Sequence, residues 1–297
     1  MASVNELKCN LCGSSERATV YIKDNVHILR CAQCGLLFNQ EMKRPEDLSR
    51  IYSEDYFVGG DIGYGYDDYP AQRDNLLRTF RNRFKVVEQY KGPGRLLSVG
   101  CGLGCCVQVA REKNWQAQAV EISGFACEWM KRNLEFGAHN CALKDAHFPD
   151  NHFDVVLMWG YIQESLDPLG EIKEVYRILK PGGMLFLQAQ NTDSLYARLA
   201  REKWIQFKPR TTAYYFSRKT ARMLLEKAGF KVLKITPSGM GQYCSVDFLL
   251  KRITHLVPAL ERINQLLSGN GRLKRTSVYI NLFDLLHLYA KKEDNNG

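Results

Sequence analysis

The chain has 297 residues, of which 45% are hydrophobic and 25% are charged. This composition is that of a globular protein and excludes disordered and collagen-like chains. The formal net charge of +9 includes a concentration of Lys and Arg between Arg198 and Lys234, which favours an acidic substrate or is a solvated face. No secretion signal and no apolar run of roughly 18 residues is present, so we expect a cytoplasmic protein.

Two C-x-x-C pairs lie near the start of the chain, Cys9 with Cys12 and Cys31 with Cys34. Four thiolates at this spacing suit a closed, tetrahedral zinc site. The intervening sequence reads as two short strands, so residues 1–40 are predicted to form a zinc ribbon whose metal supplies most of its folding energy. A redox role is the alternative, but a redox pair should sit beside a strand-helix-strand pattern, and this one does not.

Residues 41–91 are predicted to be an aromatic and glycine-rich connector followed by a helix. Up to residue 69, six aromatic side chains alternate with glycines: Tyr52, Tyr56, Phe57, Tyr64, Tyr66 and Tyr69. The connector is either a lid that faces the substrate or an irregular loop packed on the main domain. From Arg73 to Tyr90 the apolar spacing predicts a helix, which ends before a Gly-Pro-Gly turn.

A glycine-rich loop follows the next predicted strand, residues 95–99, and precedes a helix from Cys105 to Glu112. Glycines in such a loop let the backbone pass close to a ligand at the start of the helix. A second strand, residues 116–120, closes on Glu121, and a third, around residues 141–144, closes on Asp145. The first of these acids is placed to accept ribose hydroxyls, and the second can meet an adenine amino group.

Strand and helix patterns continue to alternate through a strand at residues 151–159, a helix at 169–179 and a strand at 184–189. This alternation predicts an α/β fold with a mainly parallel, doubly wound sheet and a cofactor at its carboxyl edge. A helical insertion is predicted at about 240–275. Its apolar stripe is core, a homodimer face or a surface for peripheral membrane contact. Residues 278–282 and 285–290 are candidates for the last strand.

These motifs resemble the class I S-adenosylmethionine-dependent methyltransferase superfamily, in particular the bacterial group with an N-terminal two-knuckle zinc ribbon. The resemblance rests on residues 97–104, 120–123, 153–156, 167–168, 177–183 and 228–230. It implies a Rossmann-like, seven-stranded sheet with an antiparallel last strand within residues 92–297. It also implies that S-adenosylmethionine lies with its methionyl part over the glycine loop, its ribose on Glu121 and its adenine on Asp145. The predicted cofactor-binding residues are Ser98, Gly100, Cys101, Gly102, Gly104, Glu121, Ile122, Asp145, Ala146 and Trp159.

Three positions depart from the pattern of this superfamily. Ser98 replaces an acid, Gln163-Glu164 replaces a Glu-His pair, and Thr212 replaces a histidine ahead of Tyr214. A histidine general base is therefore not predicted. We expect Glu164, with Tyr161 and Tyr214 nearby, to contact the acceptor and to act as the base if one is used. The alternative for Glu164 is a helix cap.

The predicted activity is in-line methyl transfer to an oxygen or carbon of a small-molecule, sugar or lipid-linked acceptor. A non-catalytic cofactor-binding protein of the same fold is the main alternative. RNA methylation is less favoured because no base-stacking motif or dense basic stripe is evident, and no DNA partner is expected. A dinucleotide-dependent dehydrogenase would need a glycine where this chain has Cys105.

Overall fold

The computed structural model describes residues 7–41, 44–59, 68–238, 240–246, 249–250 and 276–294. Its strands are β1 (Arg17–Lys23), β2 (Val26–Cys31), β3 (Leu37–Asn39), β4 (Arg95–Val99), β5 (Gln116–Val120), β6 (Phe153–Trp159), β7 (Leu179–Gln190), β8 (Tyr214–Tyr215), β9 (Lys231–Thr236), β10 (Gln242–Ser245), β11 (Ser277–Ile280) and β12 (Leu285–Lys291). Its α-helices are α1 (Pro45–Ile51), α2 (Glu54–Val58), α3 (Arg73–Tyr90), α4 (Cys105–Glu112), α5 (Gly124–Leu134), α6 (Pro168–Ile178), α7 (Leu195–Ala200) and α8 (Arg218–Lys227).

The N-terminal ribbon is an antiparallel sheet in the order β1-β2-β3-β8. The predicted hairpin between the cysteine pairs is present as β1 and β2, and its tight turn places Asp24 and Asn25 at positive φ, which these residues tolerate. The fourth strand, β8, comes from the distant part of the chain and pairs with β3 through Leu37 and Phe38. The ribbon therefore shares one sheet with the rest of the protein.

The main sheet has six strands in the order β5-β4-β6-β7-β12-β9. Strands β5, β4, β6 and β7 run parallel, and β12 is antiparallel to both of its neighbours, which confirms the predicted antiparallel last strand. Apolar side chains of β4, β6 and β7 are buried on both faces, as expected for parallel strands covered by helices on each side.

The predicted third strand, around residues 141–144, is not formed, so the main sheet has six strands rather than the seven predicted. Only His139 aligns with the edge strand, in one parallel bridge to Val120, and Leu143–Ala146 is a short 3-10 helix. The side-chain amide of Asn140 donates to the carbonyl oxygens of Glu121 and Ile122, both at 3.0 Å. The Asn140 amide thus occupies the Glu121 carbonyl, which a continuing third strand would use, and Asp145 lies within a helical turn rather than at the end of a strand.

The bounds predicted for α3, α4 and β5 agree with the structure. The predicted insertion at 240–275 is wrong at its start, where Gln242–Ser245 is strand β10 and pairs with β11 in a separate two-stranded sheet. Residues 251–275 of that prediction lie outside the described residues. Within the described part of the chain, no helix has both the length and the apolar character needed to cross a membrane.

Candidate active site

A cleft of about 750 Å³ opens at the carboxyl edge of β4, β5 and β6. One side, the strand-end wall, is made by residues at the ends of these strands and just after them: Ser98, Gly100, Cys101, Gly102, Glu121, Ile122 and Trp159. The opposite side, the helix wall, is the segment 161–171, which runs into α6. Above both lies an aromatic cover from the connector: Tyr52, Tyr56, Phe57 and Tyr69. A cleft at the carboxyl ends of parallel strands is where open α/β sheets bind ligands.

Glu121 is the buried acid of the strand-end wall. Its Oε2 accepts a hydrogen bond from the Gly102 backbone N–H at 2.8 Å, and its Oε1 accepts one from the Ser123 backbone N–H at 2.9 Å. Burial raises the pKa of Glu121 above its ordinary value, against the lowering effect of the backbone donors at Ser123 and Gly102. Each carboxylate oxygen has a second lone pair, so Glu121 can also accept two hydroxyl donors from a ligand in the cleft.

The glycine loop presents bare backbone to the cleft at Gly100 and Gly102. These residues have positive φ values of 65° and 54°, which glycine adopts without strain. A Cβ atom on Gly100 would lie 2.5 Å from Cδ2 of Tyr161, so the two walls meet at this glycine. Gly104 lies outside the cleft lining, and its φ of 78° instead lets the loop pack against Met130. Gly104 therefore has a packing role in this structure, and its contact with the cofactor stays a prediction.

Two other predicted cofactor-binding residues, Asp145 and Ala146, lie in the 3-10 helix beside the cleft. Asp145 lines the cleft from the 3-10 helix and is exposed, whereas Ala146 is not part of the lining and packs against the main core.

Ser98, at the position of the missing acid, is buried in the strand-end wall beside Cys106. Burial raises the pKa of the Cys106 thiol to about 12.

Tyr161 and Glu171 form a polar pair on the helix wall. The Tyr161 hydroxyl donates to Glu171 Oε1 at 3.0 Å, while the buried Oε2 of Glu171 has no hydrogen-bond partner among the described residues. Burial raises the pKa of Glu171 to about 7, and the charges of Asp167 and Glu174 add to this effect. Sequence reasoning missed Glu171, because an acid in the first turn of a helix is usually explained by its favourable interaction with the helix dipole.

Glu164 faces the aromatic cover. The Tyr52 hydroxyl donates to Glu164 Oε2 at 2.9 Å, and the Ser123 hydroxyl donates to the Tyr52 carbonyl oxygen at 2.6 Å. The cover is held further by Phe57, which packs against the ring of Phe125 with centroids 5.5 Å apart. The part of the connector that the structure describes is therefore an ordered cover over the cleft; Tyr64 and Tyr66 lie outside the described residues.

Tyr214 does not line the cleft. It lies in β8 under the ribbon, buried, with its hydroxyl donating to the Leu166 carbonyl oxygen at 3.4 Å. The backbone N–H of Ala213 donates to the Gln163 carbonyl oxygen at 2.8 Å, so β8 contacts the helix wall from behind. Tyr214 thus supports this wall from behind, and its contact with the acceptor stays a prediction.

The cleft is acidic. Six carboxylates line it, Glu121, Asp145, Glu164, Asp167, Glu171 and Glu174, against the cations Lys144, Lys173 and Arg177. Arg177 is itself paired with Glu174 and Asp150. No residue between 198 and 234 belongs to the described lining. The basic stretch seen in the sequence therefore does not support an acidic acceptor, because its charges lie elsewhere.

The four cysteines of the ribbon converge at one point, with all four sulfur atoms within 4.8 Å of one another. The Cys9–Cys34 and Cys12–Cys31 sulfur pairs are 3.6 Å and 3.4 Å apart. Four thiolates bound tetrahedrally to zinc at about 2.3 Å place their sulfurs about 3.8 Å apart. The cluster could therefore hold a metal ion, and it fits a structural zinc ribbon.

Comparison with known proteins identifies the family of this chain. Residues 69–235 match the model of the methyltransferase domain. An uncharacterized protein of Methanocaldococcus jannaschii is 26% identical over 183 residues, 61% of this chain and 86% of that protein. The 2-methyl-6-phytyl-1,4-hydroquinone methyltransferase of Synechocystis is 28% identical over 152 residues; this match spans 46% of each chain, under half the length of that enzyme.

Solved structures agree with the fold. A SAM-dependent methyltransferase from Archaeoglobus fulgidus superposes with a TM-score of 0.53 at 18% identity, covering 80% of this chain and 99% of that one. At this identity the likeness supports the shared sheet architecture alone. The family match, which covers more than half of the sequence, shows that the chain is a methyltransferase and belongs to the methyltransferase domain family.

Proposed function

We propose that this protein transfers a methyl group from S-adenosylmethionine to an oxygen or carbon of a small-molecule acceptor. The observation that carries the proposal is Glu121, a buried carboxylate that is hydrogen bonded to the glycine loop and faces the cleft. We assign the ribose hydroxyls to Glu121, the adenine to Asp145 and Ile122, and the methionyl part to Gly100, Cys101 and Gly102. Ser98 and Trp159 complete that end of the cleft.

The acceptor is proposed to enter under the aromatic cover. Tyrosine and phenylalanine rings over an acidic cleft suit an uncharged acceptor that has an apolar body and donates hydrogen bonds. Small phenols, sugars and lipid-linked intermediates all have this character. The Synechocystis relative is named for a hydroquinone, which supports an acceptor of the small-molecule class.

S-adenosylmethionine supplies a methyl group activated by a sulfonium, so alignment and exclusion of water contribute most of the catalysis. When bound, the cofactor would supply its methyl group to an oxygen or carbon of the acceptor, and the electron pair of the broken carbon–sulfur bond would stay on sulfur. The proton lost by the acceptor passes to Glu164, whose carboxylate is positioned by the Tyr52 hydroxyl. Tyr161 lies between this carboxylate and the glycine loop and contacts the acceptor.

The cysteine cluster is proposed to hold a structural zinc ion, because all four positions are occupied by protein ligands and none is left open for substrate. The ten cysteines are all free of disulfide bonds. This supports, without testing it, the prediction of a reducing, cytoplasmic environment.

The test is calorimetric titration of the zinc-loaded protein with S-adenosylmethionine and with NAD, repeated on Glu121→Ala. We expect binding of the first ligand alone, weakened about a hundredfold in the variant, since two ribose hydroxyls lose a buried charged acceptor. Glu128→Ala, which changes an exposed glutamate of the neighbouring helix α5, is the matched control and should bind normally. Equal binding by Glu121→Ala would contradict the assignment.

An acceptor screen follows from a positive titration. Glu164→Gln should lose turnover while it retains cofactor binding, and full turnover with the true acceptor would remove Glu164 as the base. Cofactor binding without methylation of any acceptor in a broad screen would favour the non-catalytic alternative.

A further inference from the structure

The two cysteine knuckles of the ribbon differ at the residue after their first cysteine. The first knuckle is Cys9-Asn10-Leu11-Cys12 and the second is Cys31-Ala32-Gln33-Cys34. In the second knuckle the two intervening side chains, Ala32 and Gln33, are exposed. In the first, Leu11 is buried in the main core, and Asn10 reaches the catalytic part of the protein.

Asn10 makes two side-chain hydrogen bonds to the start of α6. Its Nδ2 donates to Asp167 Oδ1 at 2.8 Å, and its Oδ1 accepts from the Leu169 backbone N–H at 3.1 Å. Asp167 is the N-cap of this helix and accepts from the Gly170 backbone N–H at 3.0 Å. Asn10 and Asp167 therefore satisfy neighbouring free N–H groups of the first turn together, one from each part of the protein.

A second contact reaches the other end of the helix wall. The backbone N–H of Asn39, at the end of β3, donates to the Ala213 carbonyl oxygen at 2.9 Å, and the Ala213 N–H donates to the Gln163 carbonyl oxygen at 2.8 Å. The Asn39 side chain, which is buried, also donates to the Thr212 carbonyl oxygen at 2.7 Å. The ribbon thus reaches the segment 161–171 directly through Asn10 at residues 167 and 169, and through Ala213 at Gln163.

We propose that the metal-bound ribbon positions the helix wall of the cleft, and that Asn10 is the positioning residue through which the first knuckle sets the start of α6. This inference rests on the proposed function for its effect on cofactor binding. The residues held in this way, among them Tyr161, Glu164 and Glu171, line the cleft directly. Because methyl transfer depends on alignment, a small displacement of this wall is expected to weaken both binding and turnover.

Four variants test the proposal: Asn10→Ala, Asn10→Asp, Asp167→Asn and the double variant Asn10→Asp with Asp167→Asn. Each is assayed for zinc content, for S-adenosylmethionine affinity by calorimetry and for hydrogen exchange of the amides in residues 161–171. Gln33→Ala, which shortens an exposed amide of the second knuckle, is the matched control.

We expect Asn10→Ala to retain one zinc per chain and to bind S-adenosylmethionine about fivefold more weakly, since two hydrogen bonds are lost. The backbone amide hydrogens of residues 161–171 should also exchange with solvent faster. Asn10→Asp should be weaker still, because it places a second carboxylate against Asp167. In the double variant the repulsion between two carboxylates is gone, but Asp167 Oδ1 also accepts from the Gly170 backbone N–H, and an amide at that position can serve only one of these two partners, so affinity should recover in part and exceed that of Asn10→Asp. A purely structural loss of ribbon stability would instead lower the zinc content.

Native affinity and native exchange in Asn10→Ala, with zinc retained, would overturn the proposal. So would a double variant that is no better than Asn10→Asp alone. If the native protein does not bind S-adenosylmethionine, the proposed function fails, and the exchange of residues 161–171 still decides whether Asn10 positions the wall.

Discussion

The two walls of the cleft are built in different ways. The strand-end wall follows buried parallel strands, and its key acid, Glu121, is fixed by backbone N–H groups within the same sheet. The helix wall is one turn of 3-10 helix and the start of α6, and its supports come from residues 10, 39 and 213, which are distant in sequence. A wall fixed by its own strands tolerates changes elsewhere, whereas the helix wall depends on the ribbon.

Removal of the metal is the strongest test of this difference. We expect chelation, or Cys12→Ala, to unfold the ribbon, because a zinc ion bound by four thiolates contributes about 10 kcal/mol or more to the folding of such modules. Limited proteolysis should then cut within residues 17–31, while far-UV circular dichroism of the main sheet persists. Cys127→Ala, a buried thiol of α5 outside the cluster, should keep the ribbon resistant. Equal protease resistance before and after metal removal would contradict the dependence on metal.

Gly100→Ala tests the strand-end wall. The change forces a side chain into a backbone at φ 65° and towards the Tyr161 ring, so we expect a loss of about 3 kcal/mol in the free energy of unfolding. S-adenosylmethionine affinity should fall with it. Urea denaturation and calorimetry measure the two effects. Gly92→Ala is the control, since its added methyl group meets no atom within 4 Å; equal losses in both variants would mean that the loop's conformation is not what matters.

Glu171→Gln tests the helix wall through pH. Burial raises the pKa of Glu171 from its ordinary value of 4.5 to about 7. Between these values the folded chain binds a proton that the unfolded chain has released, so the free energy of unfolding falls as the pH rises through this window. Glutamine removes this effect, and we expect the variant to be about 2 kcal/mol more stable than the native protein at pH 8 and similar to it below pH 4.5.

Thermal unfolding of both proteins from pH 4 to pH 8 measures this difference. Glu128→Gln, an exposed acid on α5, is the control and should follow the native curve. A constant offset between Glu171→Gln and the native protein at every pH would show that Glu171 does not titrate in this window.

Tyr52→Phe should have the smallest effect. It removes the hydroxyl that donates to Glu164, a hydrogen bond to a carboxylate that we expect to contribute about 1 kcal/mol to the free energy of unfolding. Urea denaturation measures this loss, and Tyr90→Phe, a half-exposed ring of α3, is the control. No change in Tyr52→Phe would mean that the cover is held by its apolar contacts alone.

The sequence predicted the strand-end wall well because every signal for it is local. The apolar run of β4, its glycines and the acid after β5 lie within about 25 residues, and the hydrophobic spacing of α3 and α4 identified both helices. The missing third strand was not foreseeable from its apolar residues, since the Asn140 side chain that replaces its ladder is a tertiary contact.

The helix wall was predicted less well for the opposite reason. Tyr161 and Glu164, which follow β6, line the cleft, whereas Tyr214 does not, and its pairing with β3 is invisible to a local pattern. Glu171 carried no distinguishing signal, since its raised pKa comes from folded neighbours. Asn10 is one asparagine in a turn, and only the position of α6 reveals its role.

The pairing of β3 with β8 also bears on the order of events during synthesis. Tyr214 leaves the ribosome about 175 residues after Asn39, a delay of roughly 10–35 s at bacterial and eukaryotic rates of translation. During that interval β3 has no partner strand on the edge that β8 will cover, and its side chains, which are buried in the complete fold, are exposed. Such an edge favours association with other chains. The ribbon can bind its metal early, yet its sheet is complete only when most of the catalytic part has been made.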